Sequence, residues 1–132
     1  MALISNGDEI LTKRVYNSDE TVLWEGNASS PVTTVTVSES LNNFESFKIY
    51  WCHFYDEVKT VTIMEYSPLS TCVFGFGARP SALKVETLWS ISETTLTRLF
   101  TKYTIYDGQW SNGGHLFPLK IIGVNRISGG NV

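Results

Sequence analysis

The sequence predicts an all-β protein, an antiparallel β-sandwich or jelly-roll-like barrel of about eight strands with at most one short helical turn. Three observations lead there. Stretches of alternating apolar and polar residues recur along the chain, the period of a half-buried strand. Those stretches are rich in Val, Ile, Thr and aromatic residues, which suit a pleated surface. Clusters of Gly, Pro, Asn and Ser separate them at roughly ten-residue intervals, the punctuation of a sandwich or barrel.

The rest is organised around residues 41–66. Two runs, Lys48-Ile49-Tyr50-Trp51-Cys52-His53-Phe54-Tyr55 and Val58 to Tyr66, flank the acidic break Asp56-Glu57 and read as a hairpin central in a sheet. In the first, Phe47, Ile49, Trp51, His53 and Tyr55 share one face; Lys48, Tyr50, Cys52 and Phe54 share the other. Large rings on both faces mean burial on two sides, or one aromatic face offered to a partner.

From the amino terminus, a short strand is expected within Ile10 to Tyr16, and residues 1–19 either join the sandwich or form a peripheral arm. Thr21 to Glu25 is a strand with Val22 and Trp24 on one face, ended by the loop Gly26 to Pro31. Val32 to Glu39 alternates, with Val35 and Val37 on the core side. Ser40 then caps one helical turn from Leu41 to Phe44 that crosses between sheets, with Asn42 and Asn43 outward and Leu41, Phe44 and Phe47 clustered.

After Ser67-Pro68, Thr71 to Phe76 places Cys72, Phe74 and Phe76 opposite Val73 and Gly75. Residues 77–81 read as a loop, with the glycines of Gly75-Phe76-Gly77 as strand-end packing. Leu83 to Ser92 is a strand with Val85, Trp89 and Ile91 on one face. Leu96 to Tyr106 has helical spacing at Leu96, Leu99, Phe100 and Tyr103, but its threonines favour a strand. A polar break from Asp107 to Pro118 precedes the final strand, Leu119 to Ile127. With 132 residues and no internal repeat or linker, one domain over 1–132 is expected.

Composition narrows the function classes. Only 17% of residues are charged, against roughly 25% typically, so a surface partly covered by a partner is expected. A net charge of -3 and scattered basic residues disfavour nucleic acid. No apolar run is long enough for a spanning helix, and the first residues lack the pattern of a secretory signal, so no membrane insertion is expected. Cys52 and Cys72 read as buried thiols, with a disulfide as the alternative. Asn27-Ala28-Ser29 is a sequon that matters only in a glycosylating compartment.

Catalytic patterns are sparse. His53 and His115 have no second ligand at metal spacing, so neither metal nor other cofactor is expected. Cys52 and His53 are adjacent in a strand and point to opposite faces; Cys52 with His115 is a pairing that only distant contacts could create. The pairs Asp8-Glu9, Asp19-Glu20 and Asp56-Glu57 read as solvated turns rather than as glycosidase carboxylates.

The loop around Trp110 is the expected binding site. Trp110 lies among Asp107, Gln109, Asn112 and His115, an indole with polar neighbours suited to a sugar by stacking and hydrogen bonding. The alternative for Trp110 is packing at the end of the sandwich or at a subunit interface. Tyr50, Tyr55 and Tyr66 are lesser candidates, with cross-strand packing as the alternative.

The runs Val22-Leu23-Trp24-Glu25-Gly26, Thr33 to Ser38, Leu41-Asn42-Asn43-Phe44-Glu45, Ile49-Tyr50-Trp51 and Lys120-Ile121-Ile122-Gly123-Val124-Asn125-Arg126 resemble β-sandwich modules of bacteriophage tail proteins. The resemblance covers about half the chain and rests on core and turn residues. It implies a non-enzymatic virion component of the tail fibre, tip or baseplate, often trimeric. Such a module would bind a host-surface glycan or protein, or join other tail proteins as an assembly or decorating part. An enzyme acting on surface polysaccharide is the third class. The fibrous stem that usually precedes such tips is missing from the sequence, so an isolated tip domain or a small stand-alone tail protein is expected.

Overall fold

A computed structural model describes residues 15–16, 18–53, 56–69, 71–79, 82–104, 109–113 and 116–128. Ten strands lie among them: β1 (Val15–Tyr16), β2 (Glu20–Glu25), β3 (Thr34–Thr36), β4 (Phe44–His53), β5 (Asp56–Met64), β6 (Cys72–Arg79), β7 (Ala82–Ile91), β8 (Thr95–Thr104), β9 (Trp110–Asn112) and β10 (Leu116–Ser128). One 3-10 turn, Leu41–Asn43, precedes β4. Two antiparallel sheets result, as an all-β sandwich requires.

The two sheets are built alike. In the first, β10 pairs with β4 and β4 with β5, while the short strands β1 and β2 follow one another along the other side of β10. In the second, β8 pairs with β7 and β7 with β6, while β3 and β9 share the other side of β8 in the same tandem manner.

The chain changes sheets at the capped turn. Ser40 Oγ accepts the Asn42 N–H at 3.1 Å, and the Leu41 N–H donates to the Glu93 carbonyl at 2.7 Å. Leu41, Phe44 and Phe47 are buried, and Asn42 and Asn43 are exposed. The capping pattern in the sequence therefore marks the crossing from β3 to β4.

Between the sheets, Trp51 of β4 meets Trp89 of β7 with ring centres 6.4 Å apart and tilted by 54°. Each indole N–H is satisfied by a threonine: Trp51 Nε1 donates to Thr62 Oγ1 at 2.8 Å and Trp89 Nε1 to Thr87 Oγ1 at 2.7 Å. Those hydroxyls are used again, since Thr62 donates to the Phe74 carbonyl at 2.8 Å and Thr87 to the Phe100 carbonyl at 3.0 Å. Phe47, Ile49, Leu96, Leu116 and Ile121 complete one buried cluster drawn from both sheets.

Several local expectations need correction. β5 is an edge strand, not a central one. The acidic pair Asp56-Glu57 belongs to β5 rather than to the turn, because His53 pairs with Asp56 and leaves only residues 54 and 55 between the strands. Residues 77–79 continue β6, with Arg79 opposite Ala82, so a hairpin replaces the expected loop. Alternation over 32–39 is realised as a ladder only at Thr34–Thr36, although Val35 and Val37 are buried as expected. A bulge opposite Ile121/Ile122 puts Val22 and Trp24 on opposite faces and buries Leu23 instead. Cys72 is exposed, since it shares the outer face with Phe74; Cys52 is buried, and no disulfide joins the two. Of the strand expected within Ile10 to Tyr16, only Val15–Tyr16 falls among the described residues.

Candidate binding face

The polar break carries a strand. Trp110, Ser111 and Asn112 pair with Thr104, Tyr103 and Lys102, which adds β9 to the edge of β8. Gly113 ends it with a φ of +106°, a conformation open to glycine, and its N–H donates to the Thr101 carbonyl at 2.9 Å.

Alternation along β8 decides what Trp110 faces. Thr101 is buried against Thr87, so Phe100, Lys102 and Thr104 take the opposite, outer side. Trp110 and Asn112 lie on that side through their pairing. The Lys102 ammonium sits 4.7 Å from the centre of the Trp110 ring and 5.4 Å from that of Phe100, and 3.2 Å from Glu86 Oε1. Indole and phenyl faces attract the ammonium, and Glu86 balances its charge.

Trp110 is 43% exposed. It neither plugs the core nor stands free: it is an indole on an outer sheet face with a cation beside it. Asn112 is exposed on the same side, and Gln109 is exposed just before the strand. Of the expected site residues, Trp110 and Asn112 thus share one outer face, Gln109 is the exposed residue just before β9, and Asp107 and His115 lie outside the described residues. Lys102, Phe100 and Glu86 are the additions. Their alternation with buried residues was readable, but their register with β9 was not.

Towards β6 the same face becomes more apolar. Phe74, Leu88 and Phe100 form one cross-strand row, and Phe76, Glu86, Lys102 and Asn112 the next. The rings of Phe74 and Phe76 stack, with centres 5.7 Å apart and 19° between planes. The arrangement offers stacking surfaces, amide hydrogen-bonding groups and one ammonium.

Tyr50 pairs with Val61 on the outer side of the first sheet and is 36% exposed, Tyr66 is partly buried against the core, and Tyr55 lies outside the described residues. Among the described residues, no group of three or more His, Cys, Asp or Glu could hold a metal ion, and no helix is long and apolar enough to cross a membrane. His53 and His115 contribute no described side chain to any site.

Among the described residues, the shortest ionic contact lies elsewhere. Arg126 Nη1 and Nη2 reach Glu39 Oε2 and Oε1 at 2.5 and 2.9 Å, and the guanidinium lies 4.8 Å from the centre of the Phe44 ring. Asn125, at a φ of +58°, re-aims the strand there and donates to Glu45 Oε1 at 2.6 Å. Hydrogen bonds from Arg126 and then Asn43 hold the Glu39 carboxyl below its ordinary value. This fork clips the long strand β10 to the crossing turn. Compared with protein-family models and with curated proteins, the sequence matches none.

Proposed function

We propose that this chain is a non-enzymatic binding module of a bacteriophage tail, which recognises a saccharide or protein on the host surface through the Trp110 end of its second sheet. The observation that carries the reading is the half-exposed Trp110 ring, held beside Lys102 on an outer sheet face with Gln109 and Asn112 exposed next to it. An indole gives a sugar ring a flat apolar surface, and the amides and ammonium give its hydroxyl or acidic groups partners. The virion location comes from the resemblance of the core and turn motifs to tail modules.

Glycan-array binding tests it. The intact protein should retain a defined set of bacterial surface saccharides, and Trp110→Ala should lose them while keeping its fold. Equal retention by Trp110→Ala would refute this site.

A second reading, an assembly or decorating protein of the tail or baseplate, is favoured by the exposed apolar residues of β5 and β6. Pull-down of other virion proteins, with no saccharide or host cell bound, would select it.

A further inference from the structure

Charge is unevenly shared between the two sheets. Strands β6 to β9 contain four basic residues, Arg79, Lys84, Arg98 and Lys102, and one acidic residue, Glu86. The whole chain has 13 acidic against 10 basic residues and a net charge of -3. The second sheet is therefore a basic region of an acidic protein, a local field that favours an anion.

Lys84 differs from the other lysines. Of the four with described side chains, Lys48 pairs with Glu20 at 2.7 Å, Lys120 with Glu25 at 3.8 Å and Lys102 with Glu86 at 3.2 Å. Among the described residues Lys84 has no such carboxylate, and it is exposed. Its charge is left over once Glu86 has been matched to Lys102.

Register puts that charge in the row of Trp110. Lys84 lies opposite Thr104, and Thr104 opposite Trp110, so the three share one side of the sheet. Val85 is buried, which sends Lys84 to the outer side with Trp110 and Lys102. Strands about 4.8 Å apart put the backbones of β7 and β9 roughly 10 Å from one another. A sugar ring stacked on the indole, with a charged substituent directed across β8, meets the long side chain of Lys84.

We propose that the ligand of the Trp110 face is an acidic saccharide, its ring against Trp110 and its carboxylate or phosphate group held by Lys84. Such a ligand presupposes the saccharide reading of this face and narrows it. Lys102 does not select an anion by itself, because Glu86 already balances its charge. Lys84 supplies the surplus, and a neutral sugar would leave it unused.

A glycan array of neutral and acidic bacterial surface saccharides, followed by titration of the retained ones with the full chain, tests this. The wild type should retain acidic saccharides and pass over neutral ones. Lys84→Gln, at an exposed position, should bind them roughly tenfold more weakly with unchanged circular dichroism, and Lys84→Arg should bind like the wild type. Reducing carboxylates to alcohols, or removing phosphate with hydrofluoric acid, separates the two anionic groups: whichever treatment weakens wild-type binding should leave Lys84→Gln unaffected. Retention of neutral saccharides alone, or equal affinity of Lys84→Gln and the wild type, overturns the acidic ligand, and Trp110 stays a saccharide site if Trp110→Ala still loses binding. Retention of no saccharide at all overturns the saccharide reading with it.

Discussion

The Trp51 indole lies directly over the Cα of Gly75. A Cβ at that position would stand 2.7 Å from Cζ2 of the ring and closer to Cε2, nearer than carbon atoms can approach. Gly75 is buried in mid-strand, opposite Thr87. It is therefore a close-approach position rather than strand-end packing, and the glycine is what lets the two sheets close on Trp51.

Gly75→Ala should destabilise the protein by about 1–3 kcal/mol, the usual cost of overpacking a core. Chemical denaturation should show a lower midpoint with an unchanged slope. An unchanged midpoint would mean that the Trp51 ring moves aside at no cost.

Thr87 carries more hydrogen bonding than its size suggests. Its hydroxyl accepts from Trp89 Nε1, contacts Thr101 Oγ1 at 2.8 Å and donates to the Phe100 carbonyl. Thr87→Val keeps the shape but leaves a buried indole N–H without its acceptor, so a loss of about 1–3 kcal/mol is expected. Thermal unfolding followed by tryptophan fluorescence would measure it.

Fold class, the crossing turn and most core positions were legible because each depends on local chemistry. Ser40 caps, Leu41 and Phe44 turn inward, and alternation sorts Val85, Trp89 and Ile91 to one side. What was missed depends on contacts remote in sequence. Asp56 looked like a turn residue because a charge pair usually is one; only its pairing with His53 makes it a strand residue. Gly75 resembled punctuation because the Trp51 ring that requires it lies more than twenty residues away. Trp110 was visible as an indole among polar residues, but Lys102 beside it follows from the β8–β9 register, which no local pattern encodes.

The clip between Glu39 and Arg126 makes a pH prediction. The folded Glu39 carboxyl titrates below its ordinary value of 4.5, so its contribution to stability is complete above that value and is lost as pH falls through the lower folded value. Glu39→Gln should lower stability at neutral pH and reduce the loss seen on acidification below about 4.5. Melting temperatures of the two proteins across acid pH would show it; parallel curves would count against the clip.

The central claim is that a ligand is held at Trp110, and amide and indole NMR shifts of the 15N-labelled protein test it most directly. On addition of a surface saccharide retained by the wild-type protein on the array, the Trp110 indole N–H and the backbone amides of Lys102 and Asn112 should shift together, while the indoles of Trp51 and Trp89 stay in place. Shifts confined to the core indoles, or to the first sheet with Trp110 unmoved, would contradict the account.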